Sequence, residues 1–296
     1  MYVIKYRKVW FVLSLILITV SVLGMVKYGF NLSTDFEGGS ITEVRYKEER
    51  VSKDEAESAI KNLDLGGFSV RPSESDRYII RTRILTQKET DKLVEAIGAP
   101  TVERSNTIGP VAGAELKSKA LKAISVVIIM IVLFITFAFR KVSKPVSSWK
   151  YGLATIVALL HDVIIPTGVF VFLGYFTGVE MDLLFVTGLL AILGYSVHDT
   201  IVVFDRVREN LRLNQERNHT EEFDITVGRS VEQTFARSIN TSVTIFITLL
   251  ALYIFGSVAT KEFSLLLLIG VIIGTYSSIF VASPLLVTFQ KLQKIK

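Results

Sequence analysis

The stretch GYSVHDTIVVFDRVREN, residues 194–210, places two ionisable residues inside an apolar segment and a charged turn directly after it. From residue 183 to residue 204 most side chains are apolar or small, and a helix of this length crosses a hydrocarbon core of roughly 30 Å. A charged group at the centre of a bilayer costs on the order of 2.5–3.5 kcal/mol, so such residues usually face the interior of a helix bundle and mark an ion path. Asp199, beside His198, is therefore a candidate ion-path residue. The alternative is that Asp199 only hydrogen-bonds a neighbouring helix.

The composition favours a membrane protein with several spanning helices. The chain has 296 residues, of which 50% are hydrophobic, and its mean hydropathy is +0.47. Its net charge of +5 is spread among the loops, so we expect no nucleic-acid partner. The absence of cysteine excludes disulfides and thiolate metal sites. Because the sequence carries no nucleotide-binding or hydrolase motif, we also expect no enzyme activity, no cofactor and no metal site.

Six apolar segments predict six transmembrane helices, at residues 9–26, 123–139, 151–173, 183–204, 239–255 and 265–288. The basic residues that flank the segments lie in alternate loops, which the positive-inside rule assigns to the cytoplasm: Lys5, Arg7, Lys8, Arg140, Lys141, Lys144, Lys150, Lys291, Lys294 and Lys296. We therefore expect a multi-pass protein of the cell membrane with both termini in the cytoplasm. The expected division is residues 1–27 (N-terminal cytoplasmic segment and first helix), 28–117 (extracytoplasmic domain) and 118–296 (five-helix membrane domain with a cytoplasmic loop at about 205–238).

Residues 28–117 change character and predict one small α+β domain. Residues 41–46 alternate apolar and polar side chains, which is typical of a half-buried strand. Ser52 with Glu55 and Thr86 with Glu89 form the capping-box pattern at the start of two helical segments. Further strands are predicted at residues 68–71, 78–85 and 101–108. This order, β-α-β-β-α-β, is that of a ferredoxin-like fold, which the loop charges place outside the cytoplasm.

Small residues recur every four positions in the sixth segment, at Gly270, Gly274, Ser278 and Ala282. This pattern lets helix backbones approach closely in lipid. It predicts close helix packing, either within this chain or against a partner.

Three other ionisable residues in or near the apolar segments, His161, Asp162 and Arg237, are considered as metal ligands, as a partner of Asp199 or as a topology signal. His161 and Asp162 form a second His-Asp pair, and neighbours on a helix point about 100° apart, which argues against a shared metal ion. Arg237 lies at the inner end of the fifth segment, where a lone arginine is usually a positive-inside anchor. The alternative is that Arg237 pairs with Asp199. Residues 205–209 continue the fourth helix into water, where ion pairs at i,i+3 and i,i+4 are expected.

Five stretches of the chain match one family pattern: residues 34–39 (TDFEGG), 158–162 (ALLHD), 194–209, 237–242 (RSINTS) and 274–280 (GTYSSIF). The motif residues are Asp35, Phe36, Gly38, Gly39, Gly194, Tyr195, His198, Asp205 and Arg206. In these stretches the sequence resembles the SecD/SecF family of protein-export membrane proteins, on its SecF side, and the resemblance covers nearly the whole chain. His198 departs from the pattern, because asparagine is the more usual neighbour of the aspartate. This difference bears on the hydrogen bonding of Asp199.

The resemblance implies a subunit of a SecDF complex, related to the proton-driven exporters of the RND superfamily. Such a subunit would use the proton motive force to assist protein export. The implied partners are a SecD-like subunit, the SecYEG channel, the translocating preprotein, protons and the lipid bilayer. By position, Asp199 would accept the proton, Arg237 would be its functional partner, and Asp162 is a weaker candidate for the same proton relay. Two alternatives stay open: an RND-type exporter of small molecules or lipids, and a scaffold without proton transfer.

Overall fold

The computed structural model describes residues 2–47, 50–63, 65–73, 75–140 and 147–294. Its strands are β1 (Gly39–Arg45), β2 (Ser69–Ser73), β3 (Arg77–Thr82) and β4 (Thr101–Ile108). Its helices are α1 (Tyr2–Lys5), α2 (Arg7–Tyr28), α3 (Thr34–Glu37), α4 (Lys53–Lys61), α5 (Gln87–Ala96), α6 (Pro110–Ala138), α7 (Ser148–Thr177), α8 (Leu183–Glu216), α9 (Phe223–Phe255), α10 (Val258–Ser277) and α11 (Ser283–Lys294). A π-helical turn, Ser278–Ala282, joins α10 to α11.

Six helical spans in the described part of the chain are long and apolar enough to cross a membrane, which confirms the prediction from the sequence. They are α2, α6, α7, α8, α9 and a sixth span, Thr260–Leu292, that runs through α10, the π-helical turn and α11. Three lysines of the expected cytoplasmic charge pattern, Lys141, Lys144 and Lys296, lie outside the described residues.

Two spans are much longer than their apolar segments. α6 begins at Pro110 and α9 at Phe223, although the apolar runs begin only at residues 123 and 239. Proline is favourable in the first turn of a helix, and the alanine, lysine and glutamate residues that follow it in α6 are good helix formers. The helix therefore continues beyond its apolar segment, and the expected boundary between residues 117 and 118 lies inside α6.

Residues 39–108 form the predicted ferredoxin-like domain. Its antiparallel sheet has the strand order β2-β3-β1-β4. Val44, Tyr78 and Ile80 from the sheet pack against Ile60 of α4 and Leu93 of α5. The two helices thus cover one face of the sheet and close the hydrophobic core of this domain.

Both predicted capping boxes are present. Ser52 and Glu55 cap the start of α4, and Thr86 and Glu89 cap the start of α5. The Arg83 guanidinium, which hydrogen-bonds Glu89, and the Thr86 cap together lower the pKa of Glu89 to about 2. Local side-chain chemistry therefore fixes where these two helices begin.

The small residues of the sixth span pack against α8 of the same chain. A methyl group added to Gly274 would lie 3.2 Å from the Cβ atom of Ser196. One turn further on, the hydroxyl oxygen of Ser278 lies 2.8 Å from that of Thr200. The small-residue stripe therefore serves helix packing within the chain.

Burial is concentrated in three of the six spans. In the most apolar part of α7 and of α8, 50% of the residues are buried, and in the sixth span 61% are buried. The corresponding shares are 6% for α6 and 11% for α9. α6 and α9 consequently turn most of their apolar surface away from the chain, toward lipid or a partner.

We expect the substitution Gly274→Leu to destabilise the chain, because a larger side chain would press into α8. Overpacking of a filled core costs about 1–3 kcal/mol. Gly194→Leu is the matched control, since a methyl group added there meets no atom within 4 Å. Thermal unfolding in detergent should show a lower melting temperature for Gly274→Leu only. Equal melting temperatures for the two variants would contradict the packing described here.

Candidate intramembrane site

Asp199 lies in α8 and is only 5% exposed. Its Oδ2 atom is buried and has no hydrogen-bond partner among the described residues. Ser238 of α9 faces the carboxyl group, and its own hydroxyl is likewise buried and unpaired. An unpaired carboxyl oxygen in apolar surroundings is costly. This atom is therefore available to a proton or to an approaching donor.

Arg237, the predicted partner of Asp199, lies on an exposed face of α9. Consecutive residues of a helix point about 100° apart, so the inward position of Ser238 turns Arg237 away. In the described part of the chain no ion pair joins Arg237 to Asp199. The structure thus brings Ser238 to the carboxyl group, although sequence reasoning had singled out the charged residue beside it.

Asp162 of α7 is a second buried carboxyl group, and it is well hydrogen-bonded. Ser196 of α8 and Ser277 of α10 both donate to its Oδ2 atom, the latter at 2.7 Å. His161 Nδ1 lies 2.8 Å from its Oδ1 atom, and the His161 ring stacks on Tyr276 with ring centroids 5.7 Å apart. Asp162 therefore ties three membrane helices together.

Hydroxyl groups form further hydrogen bonds between α8 and its neighbours α9 and α10. The Tyr195 hydroxyl lies 2.6 Å from that of Ser242 and 3.0 Å from that of Thr275. Ser278, the first residue of the π-helical turn, donates to the carbonyl oxygen of Ser196 at 3.3 Å. π-Helical turns frequently occur at functional sites. Sequence reasoning noted Tyr195 only as a motif residue, and the available signal for the others was the recurrence of serine and threonine in apolar segments.

Gly194 and His198 lie one turn apart on an uncovered face of α8. His198 is exposed, and a methyl group added to Gly194 meets no atom within 4 Å. Within the described residues His198 makes no hydrogen bond to Asp199 Oδ2. The residue that departs from the family pattern therefore points outward from this chain, beside the candidate carboxylate.

The charged turn after the fourth span has the expected local ion pairs. Arg208 lies 3.5 Å from Asp205, and Arg206 lies 2.6 Å from Glu209. Arg206 also donates to Gln233 of α9 at 2.7 Å. Asp205 and Arg206 are thus placed on a solvated part of α8, away from the buried carboxyl groups.

The motif at residues 35–39 forms a joint between the ferredoxin-like domain and α8. Asp35 Oδ2 accepts a hydrogen bond from the first backbone N–H of α8, at Leu183, over 3.1 Å. Phe36 is buried, and Gly38 and Gly39 have φ angles of +79° and +134°. A methyl group on Gly39 would lie 2.5 Å from the last carbonyl oxygen of β3, so only glycine fits. The motif residues therefore have a structural role here.

Ion pairs hold the ferredoxin-like domain against the membrane domain. Glu180, in the loop before α8, pairs with Arg81 of β3, lies 3.6 Å from Arg71 of β2 and accepts a hydrogen bond from Ser69 at 3.2 Å. Arg71 also lies 2.9 Å from Glu262 of α10. The Glu180 side chain is 8% exposed. Sequence reasoning missed this cluster, because its members are far apart in the chain and carry no motif.

These features define a polytopic membrane protein with a polar centre inside its helix bundle and one folded domain docked at its end. The family model described as protein export membrane protein SecD/SecF, C-terminal, matches residues 88–292. The chain belongs to this SecD/SecF family.

Curated relatives cover nearly the whole chain. The protein translocase subunit SecF of Thermobaculum terrenum is 38% identical over an alignment of 303 positions, which covers 97% of this chain and 93% of the relative. The protein translocase subunit SecF of Sebaldella termitidis is 36% identical and covers 98% of this chain and 92% of the relative.

Two solved structures have the same fold. The crystal structure of SecDF, a translocon-associated membrane protein, from Thermus thermophilus matches 97% of this chain with a TM-score of 0.84 and 29% identity. A SecDF structure in a super-membrane-facing form matches 100% of this chain with a TM-score of 0.68 and 30% identity. This chain spans 38% and 39% of those two chains.

We expect Glu180→Gln to weaken the docking of the ferredoxin-like domain, because it leaves Arg81 largely buried without its anionic partner. Loss of one partner of a buried polar pair costs about 1–3 kcal/mol. The control is Glu57→Gln, which removes an exposed helix pair with Lys53. Thermal unfolding should show a lower melting temperature for Glu180→Gln, and a value equal to that of the control would exclude a stabilising role for this cluster.

Proposed function

We propose that this chain is the SecF-like subunit of a SecDF-type complex, which assists the Sec-dependent translocation of preproteins across the cytoplasmic membrane. Family membership and two relatives of 38% and 36% identity that are protein translocase subunits support this role. We further propose that the proton motive force drives it through Asp199. The observation that carries proton coupling is the buried, unpaired Oδ2 atom of Asp199 within a membrane-spanning helix.

The proposed partner is a SecD-like subunit. The solved SecDF chains are more than twice as long as the part that this chain matches, which leaves room for a second membrane half. α9 exposes most of its apolar surface, and Arg237 of α9 and His198 of α8 lie on uncovered faces. A second bundle seated on these faces would remove them from lipid. The SecYEG channel and the translocating preprotein follow as further partners in the same role.

Proton transfer in this proposal depends on an exchange between two neighbours on α9. In apolar surroundings the neutral acid is the less costly form of a carboxyl group, whereas a nearby guanidinium stabilises the carboxylate. Arg237 and Ser238 are adjacent, so a rotation of α9 replaces one with the other beside Asp199. Binding and release of a proton at Asp199 would thereby be coupled to the position of α9.

The energy available for each proton is modest. One elementary charge that crosses the membrane potential releases about 2.3 kcal/mol per 100 mV. This amount shifts a two-state equilibrium by a little under two powers of ten. It suffices to bias a helix rotation or the docking of a small domain.

The proposed topology places the ferredoxin-like domain outside the cytoplasm. Because the chain has no cysteine, single cysteines can report the side of the membrane without background. Ser58 and Thr177 are exposed positions at the outer end, and Gln215 and Thr220 are exposed positions at the other. In intact cells an impermeant thiol reagent should label Ser58→Cys and Thr177→Cys, but not Gln215→Cys or Thr220→Cys. Labelling at Thr220→Cys without cell lysis would overturn the topology.

We expect Asp199→Asn to abolish the stimulation of export by the proton gradient, because asparagine has nearly the same size but does not ionise. The control is Asp205→Asn, which removes an exposed carboxylate whose side chain is 59% exposed. The assay is preprotein translocation into inverted vesicles that contain the complete complex, with and without an imposed proton gradient. Full gradient-dependent stimulation with Asp199→Asn as the only copy would contradict the proposal. The alternative, a scaffold without proton transfer at Asp199, predicts that result.

A further inference from the structure

An apolar cavity of about 450 Å³ lies at the end of the membrane domain that carries the ferredoxin-like domain. Its walls come from the connection between α2 and α3 and from α6, α7 and α8. They include Phe30, Phe36, Leu121, Ile124, Phe185 and Leu189. None of the carboxyl groups of the intramembrane site lines it, so this cavity is a separate feature.

The cavity is open at the surface of the chain, and the residues at its opening are apolar. α6 packs on α3, α7 and α8. The cavity is a gap between the α2–α3 connection, which contributes Phe30, and α6, which contributes Leu121. On the two sides of this gap Phe30 is 51% exposed and Leu121 is 62% exposed. At the back, Phe36 and Leu189 are only 6% and 3% exposed. A lipid molecule beside the protein thus faces the opening directly.

The walls of the cavity carry almost no groups that could hydrogen-bond to water. Among the described residues that line the cavity, only Lys117 and Thr167 have polar side chains, and the Thr167 hydroxyl donates to the Val163 carbonyl of its own helix at 2.7 Å. A water molecule inside a protein requires two to four polar partners. Hydrocarbon is therefore the medium that fits this space.

Lys117 of α6 lies near the joint formed by residues 35–39. It lies one turn after Gly113, where an added methyl group would meet the Phe36 carbonyl oxygen at 3.0 Å, and one turn before Leu121. In the described part of the chain no carboxylate pairs with Lys117, whereas its neighbour Lys119 lies 2.8 Å from Glu115. An apolar cavity with one uncompensated cation at its rim matches the charge and polarity of an anionic lipid.

We propose that this cavity binds one acyl chain of an anionic phospholipid, whose phosphate group contacts Lys117. The lipid comes from the leaflet on the side of the ferredoxin-like domain. A transmembrane helix is about 10–12 Å wide with its side chains, too wide for a cavity of this volume, whereas an acyl chain is a single file of methylene groups. The bound lipid fills the gap beside α6, the helix that leads directly from β4 into the membrane.

The test is native mass spectrometry of the delipidated chain, residues 1–296, titrated with phosphatidylglycerol or phosphatidylcholine. Ala120→Phe and Val186→Phe fill the cavity from opposite walls, and Lys117→Gln removes the rim charge. Ser118→Phe and Lys122→Gln are the matched controls, since both positions are exposed on α6 outside the cavity lining. Each variant is first checked for a wild-type melting temperature, and two filling variants are available in case one does not fold.

We expect one tightly bound phosphatidylglycerol per wild-type chain and per control. Each filling variant should lose at least about tenfold in affinity, because exclusion of two methylene groups already has this effect. Lys117→Gln should keep binding but lose an approximately fivefold preference for the anionic lipid, the factor that one lysine supplies. Unchanged binding in folded Ala120→Phe and Val186→Phe overturns the site, and an unchanged preference in Lys117→Gln overturns the contact with the phosphate.

Discussion

One carboxyl group, Asp162, fixes how the three central membrane helices meet. Ser196 of α8 and Ser277 of α10 donate to it, and both hydrogen bonds require the helices to approach closely. Gly274 permits this approach, because its missing side chain leaves space for α8. Burying a polar group in hydrocarbon without a hydrogen-bond partner is costly, and these hydrogen bonds avoid that cost at Asp162. The position of α8, and with it of Asp199, therefore depends on this contact.

α8 links the two ends of the molecule. Its first backbone N–H donates to Asp35 of the joint at residues 35–39, Asp199 lies further along the same helix, and Arg206 contacts α9 closer to the other end. α8 is one continuous helix from Leu183 to Glu216. A change at Asp199 that shifts α8 against α9 would therefore also shift the joint to which the ferredoxin-like domain is attached. This connection gives the proposed proton site a mechanical route to the domain outside the membrane.

The sequence predicted much of the architecture, because apolar length, strand alternation and capping boxes are local signals. It did not predict the full lengths of α6 and α9, since their polar first parts form helix without an apolar pattern. The proximity of Ser238 rather than Arg237 to Asp199 could not be foreseen either, because it depends on the rotation of α9 about its axis. The pairing of Glu180 with Arg81 could not be foreseen either, because it forms only when two segments far apart in the chain fold together. Asp199 and its possible pairing with Arg237 came from the sequence itself, whereas the roles of these residues in a proton relay came from the family resemblance.

The most direct test of the central claim is infrared difference spectroscopy of the complete complex in sealed vesicles, recorded as the proton gradient is imposed and then collapsed. A carboxylic acid band reports a protonated carboxyl group, and its assignment rests on loss of the signal in Asp199→Asn but not in the exposed control Asp205→Asn. The account predicts a band from Asp199 that changes reversibly with the gradient. A spectrum in which no Asp199 band responds to the gradient would contradict it.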